Sequence, residues 1–196
     1  MGKKGGNTMN ILTNFTPAAL WRDMIHEAEA SCAIELNEEV EAYLVFLVMR
    51  YLAKPEVVKQ IIAYEFLAGM HLSAMQRELA LQGVGDKCLL LSGLFPKIAE
   101  KRLVKISYFV NLGQSAYGIL AKTRHDLYSL LAKQFVNLMD VLQSMSQHVD
   151  LLPLQAYDLW NETGSKRALA ALRQYTNAMP VNSQPHDPGK RLFKSR

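Results

Sequence analysis

The side chains with the plainest capacity for chemistry are His125 and Asp126. An imidazole beside a carboxylate can hold a divalent metal for phosphoester hydrolysis, with His71, Asp140, Asp150 and Asp158 as further ligands. The doublet falls at a predicted helix start, after Lys122 and Arg124. There, capping and the helix dipole already account for Asp126. A metal-dependent phosphohydrolase is therefore the weakest of three functional readings. A dimetal site in a helix bundle wants Glu-x-x-His pairs, and the chain has none. His26 and Glu29 stand in the reverse order, on what reads as an exposed acidic stretch. Leu91-Ser92-Gly93 lacks the Gly-x-Ser-x-Gly frame of a strand-borne nucleophile. Gly83-Val84-Gly85-Asp86 lacks both the spacing and the Lys-Ser/Thr ending of a phosphate loop. Cys32 and Cys88 sit among apolar residues and read as buried free thiols, which suits the reducing cytoplasm. The expectation is no metal, no cofactor and no catalytic residue.

A binding site has better material. On a helix, Tyr108, Asn111 and Ser115 share one face, with Tyr117 on the adjoining side. Such a strip can form one wall of a pocket for a small apolar or amphipathic ligand, with Asp86 and Ser92 contributed from the preceding segment. Close helix packing explains the same small and polar residues. Glu65 interrupts a strongly apolar run, and a buried carboxylate needs a partner or a proton. Arg50 interrupts another run and is expected to reach the surface along its own stem.

Helices must position these groups. From 16 to 176 the apolar residues recur at helical spacing. Thr16-Pro17 starts the first helix, which runs to about Ala33 with its acids facing away from the apolar stripe. Asn37 opens a second, to about Ala53, apolar on every side and so expected to be central. A third spans about 56–82, with Ile61, Ile62, Phe66, Met70, Met75 and Leu79 on its buried side. Gly83-Val84-Gly85 is expected to stop it, and Asp86 to cap a short helix that Pro96 ends. Ser107 caps the next. The helix over about 125–148 carries a coiled-coil-like seam of Tyr128, Leu131, Phe135, Leu138, Leu142, Met145 and Val149. Two short helices, about 153–162 and 165–176, close the body.

Charge and composition narrow the remaining classes. The net charge of +4 belongs to the ends: residues 16–176 hold 16 basic and 17 acidic side chains. A folded basic stripe of the kind nucleic acid requires is missing, so nucleic acid is not an expected partner. The acids from Asp23 to Glu41 and the bases Lys97, Lys101, Arg102 and Lys105 read as solvated faces, or as complementary patches in self-association. The longest unbroken apolar run, Ala42 to Met49, is far short of the roughly 20 residues of a membrane span. The nine methionines read as core gap-fillers.

One long ordered pattern is familiar. Gly85-Asp86, Leu90-Leu91-Ser92-Gly93-Leu94-Phe95-Pro96, Ser107-Tyr108-Phe109, Leu112-Gly113 and Ser115-Ala116-Tyr117 resemble an uncharacterised family of bacterial all-helical proteins. Tyr157, Trp160 and Thr163-Gly164-Ser165 extend the likeness, which spans residues 40–176. It implies a bacterial source and a helical fold, and no activity.

The expected architecture is all-α: a single-domain bundle of seven or eight helices over 16–176, with a flexible extension at 1–15 and a disordered basic tail at 177–196. The expected function is a cytoplasmic, non-enzymatic interaction or regulatory protein that forms a homodimer, the seam being one motive. The alternative is a ligand-binding protein using Glu65, Asp86, Ser92, Tyr108, Asn111, Ser115 and Tyr117.

Overall fold

A computed structural model describes residues 16–52, 62–101, 103–123, 126–146 and 151–176. The two ends lie outside the described residues, as do His125 and Asp150. The fold is all-α, and among the described residues there is no strand. The helices are α1 (Pro17–Cys32), α2 (Glu38–Leu52), α3 (Ile62–Met70), α4 (Ala74–Gly93), α5 (Pro96–Lys101), α6 (Ile106–Leu120), α7 (Asp126–Lys133), α8 (Phe135–Met145), α9 (Pro153–Thr163) and α10 (Lys166–Tyr175). No helix among these residues is long and apolar enough to cross a membrane.

The local signals at the first two helices act as expected. The Thr16 hydroxyl accepts from the Ala19 amide at 3.2 Å, with Pro17 at the first helical position. Asn37 accepts from the Val40 amide at 2.9 Å. Glu38, Glu39 and Glu41 lie in the first turn of α2, where the dipole favours them.

The middle of the chain departs from expectation. The glycine triplet stops nothing: α4 runs straight across Gly83 and Gly85. Glycine weakens a helix by about 1 kcal/mol relative to alanine, a cost that tertiary packing overrides. The break comes instead at His71–Ser73, where the amides of His71 and Leu72 turn back onto the carbonyls of Ala68 and Gly69. That turn folds α3 against α4, and a Cβ on Gly69 would sit 3.0 Å from that of Ala80. Pro96 opens α5 rather than ending a helix, as its preset φ permits. Lys105, not Ser107, occupies the N-cap position of α6. The long seam helix is interrupted at Gln134, yet the bonds Gln134 N–H to Leu130 O and Leu138 N–H to Gln134 O carry the ladder through. Among the described residues, these turns divide the helical chain into the segments α1 to α10.

The buried apolar residues form one contiguous cluster. α4 is its centre: Leu81 and Val84 are buried, and so is every residue from Cys88 to Gly93. α4 and α6 form the most extensive helix pair, and α8 also packs on α4. α2 was the expected centre, but Phe46 is exposed on its outer side. The seam residues Leu131, Phe135, Leu138 and Leu142 are fully buried within this chain, so the seam is not left for a partner.

Candidate functional site

Asp86 is the most unusual side chain of the interior. It lies on α4, is 1% exposed, and does not cap a helix. Tyr43 of α2 and Tyr117 of α6 both donate their hydroxyls to its Oδ1, at 2.5 and 2.7 Å. Gln82 donates to the Tyr43 hydroxyl at 3.4 Å. Among the described residues Oδ2 has no hydrogen-bond partner, and Arg50 Nη1 lies 3.8 Å from it. Burial pushes the Asp86 carboxyl up to about 6, against the opposing pull of the two phenols and of Arg50. Burial and the adjacent carboxylate push both phenols above their ordinary value.

Glycine makes this arrangement fit. A Cβ on Gly85 would fall within 2.8 Å of three ring atoms of Tyr117. The missing side chain lets the ring lie against α4 with its hydroxyl on the next residue. From sequence, Tyr43 reads as part of an apolar stripe and Arg50 as reaching the surface, although their spacing of seven places both on one face of α2.

Of the other expected site residues, the structure joins only Tyr117 to Asp86. Glu65 finds its partner in Lys87, whose Nζ lies 2.6 Å away on α4. Ser92 is buried and donates to the Cys88 carbonyl at 2.8 Å, while Gln143 donates to the Ser92 carbonyl. Tyr108 and Asn111 are exposed, and Ser115 donates to the Asn111 carbonyl at 2.7 Å.

Among the described residues, the structure does not bring the potential phosphohydrolase ligands together. Asp140 is buried, accepting from Ser165 Oγ at 2.6 Å and from the Arg167 amide at 3.2 Å. Asp158 and His71 are exposed, on α9 and on the α3–α4 turn. The acidic stretch is not uniformly exposed: Glu29 and Glu41 are buried. His26 links them, Nδ1 at 3.1 Å from Glu29 and Nε2 at 3.4 Å from Glu41. Glu29 also accepts from the Leu36 amide at 2.8 Å, and Glu41 pairs with Arg22 at 3.2 Å. The carboxylates thus face opposite ring nitrogens and already hold other donors, an arrangement that ties α1 to α2. Both cysteines are free, and burial pushes the Cys88 thiol up, away from the reactive thiolate.

Two surface features remain. A groove of about 230 Å³ runs between the turn before α6 and α9, with Leu103, Leu151 and Leu159 as its apolar lining. Lys105 and Ser107 both bond Glu162 along it. Leu103 stands at its edge, 95% exposed and in the left-handed region at φ 54°. The second feature is larger. Tyr64, Leu67, Met75 and Leu79 are each 62% to 73% exposed on the α3–α4 hairpin, with Met70 and Leu72 less so. Met70, Met75 and Leu79 were expected on a buried side. The break at His71–Ser73 rephases the helix, and Leu81 and Val84 turn inward instead.

No family model matches the chain, and no curated protein or solved structure is similar to it.

Proposed function

We propose that this is a cytoplasmic, non-enzymatic interaction or regulatory protein, a single bundle domain that self-associates as a homodimer through its α3–α4 hairpin. The observation that carries this reading is the row of exposed apolar side chains along that hairpin, Tyr64, Leu67, Met70, Leu72, Met75 and Leu79. Six such side chains expose on the order of 500 Å² of mostly apolar surface, at the upper end for a monomer's largest patch. A standard interface buries about 800 Å² per partner, so this patch is a fitting centre for one. A second copy is the occupant that fits best. A two-fold axis would set hairpin on hairpin and generate a four-helix contact from one self-complementary surface.

Sedimentation velocity at tens of micromolar tests this. A dimer is expected for the natural chain and a monomer for the double variant Leu67→Glu, Met75→Glu, with unchanged far-ultraviolet dichroism in both. A natural chain that sediments as a clean monomer overturns the reading. Native mass spectrometry on the same sample serves the ligand alternative. A reproducible extra mass, lost on denaturation, would move attention to the groove beside Leu103.

A further inference from the structure

We propose that Asp86, Tyr43, Tyr117 and Arg50 form a proton-operated latch between α2, α4 and α6. With Asp86 ionised, Arg50 is held over its free oxygen; with Asp86 protonated, the guanidinium is released to solvent. This goes beyond the self-association reading and stands independently of it.

The geometry is divided between a fixed half and a movable half. Both phenols converge on Oδ1, which pins the carboxylate in one orientation. Tyr117 cannot withdraw, because its ring is fully buried against Gly85, with the Tyr128 and Phe135 rings each 6.0 Å away. Among the described residues, Oδ2 faces the Arg50 guanidinium and accepts no hydrogen bond. At 3.8 Å the guanidinium is close enough for attraction and too far for a hydrogen bond. Its side chain is 58% exposed, lies in the last turn of α2 and also bonds the neighbouring Tyr51 hydroxyl, so it is held at the surface rather than in the core.

Among the described residues, the charged and titratable groups around the carboxylate lie on α2, α3, α4, α6 and α7. α2 brings Tyr43, Arg50 and Tyr51. α6 brings Tyr117, and α7 the Tyr128 ring beyond it. α4 brings Lys87, engaged with Glu65 of α3 on the neighbouring turn. The phenols around Asp86 stay protonated through the neutral range, because burial and the carboxylate itself raise them. Burial holds the Asp86 carboxyl at about 6, so modest acidification is enough to neutralise it.

Carbon-detected NMR of the full chain, with aspartate carboxyls labelled, tests the latch between about pH 4 and 8. Asp86→Asn assigns the resonance by its disappearance; if that variant fails to fold, Tyr43→Phe assigns it by perturbation. The expected result is an Asp86 midpoint near 6. The Arg50 side-chain Nε–H signal should shift with the same midpoint. Arg50→Gln, at a half-exposed position, should raise the proton affinity of Asp86 by threefold or more. An Arg50 that keeps one position whatever the charge of Asp86 would leave the Arg50 signal unmoved. A midpoint at the ordinary carboxylate value of about 4, an Arg50 signal that ignores the titration, or an unchanged midpoint in Arg50→Gln would each overturn the proposal.

Discussion

Tyr117 lies flat enough on α4 that its ring occupies the space a side chain on Gly85 would fill, and its hydroxyl reaches the carboxylate of the next residue at 2.7 Å. One contact thus sets two things together: the close approach of α4 and α6, and the burial of Asp86. Gly93 against Leu142 and Gly113 against the Phe135 ring repeat the same device along the core. Gly85, Gly93 and Gly113 are spaces for neighbouring side chains rather than stops.

Gly85→Ala should therefore destabilise by about 3 kcal/mol or more, because a methyl group there overpacks a rigid ring. Gly83→Ala, two residues earlier on the same helix, meets nothing within 4 Å. It should stabilise by about 0.5–1 kcal/mol through helix propensity alone. Urea melts of the two variants should move in opposite directions.

The raised carboxyl of Asp86 makes a prediction about stability and pH. The folded state holds this proton up to about 6, the unfolded state only to about 3.8. Between those values the folded chain binds more protons, so the Asp86 contribution to stability falls as pH rises, and the loss is complete above 6. The difference corresponds to about 3 kcal/mol. Subtracting the stability of Asp86→Asn from that of the natural chain isolates it. The difference should decline from pH 4 to 6.5 and then level off; an increase over that range would contradict the buried, charged Asp86.

How much of this was legible depended on whether the information was local. Thr16-Pro17, the first turn of α2 and the helical character of the whole body could be read from neighbouring residues. So could the seam, because its four central members are buried together. What failed was phase and pairing. A single turn at His71–Ser73 rotated Met75 and Leu79 from the expected core to the surface. Glu65 needed a partner, but Lys87 is its partner only once α3 has folded back on α4. Asp86 looked like a cap because it follows Gly85, and the reason for that glycine lies 32 residues away in Tyr117. Tyr43 and Arg50 could have been paired by their spacing, had a buried acid been sought opposite them.

Ser165 is expected to matter more than its size suggests. Its hydroxyl accepts from the Ala168 amide at 3.0 Å, capping α10, and donates to the buried Asp140 at 2.6 Å. Ser165→Ala removes the cap and one of the bonds that stabilise a carboxylate whose pKa burial already raises. The cost should be about 2 kcal/mol near neutrality. It should shrink as pH falls, because a protonated Asp140 needs that donor less. Chemical denaturation at two pH values checks both parts; a deficit that stays the same on acidification would show that Ser165 acts through the cap alone.

Self-association through the hairpin should also appear in thermal melts. A partner that binds only the folded state stabilises it by mass action, so a dimer melts higher when it is more concentrated. The natural chain should gain several degrees between about 2 and 200 micromolar. Leu67→Glu with Met75→Glu should melt at one temperature throughout, close to that of the dilute natural chain. Both side chains are largely exposed in the single chain, so their replacement removes little internal packing. Glutamate also disfavours a second copy directly, since a two-fold axis brings equivalent charges near one another in a desolvated contact. A melting temperature that ignores concentration in the natural chain would remove the second copy as the occupant of this face. A double variant that melts well below the dilute natural chain would instead mean that Leu67 and Met75 belong to the core of the monomer.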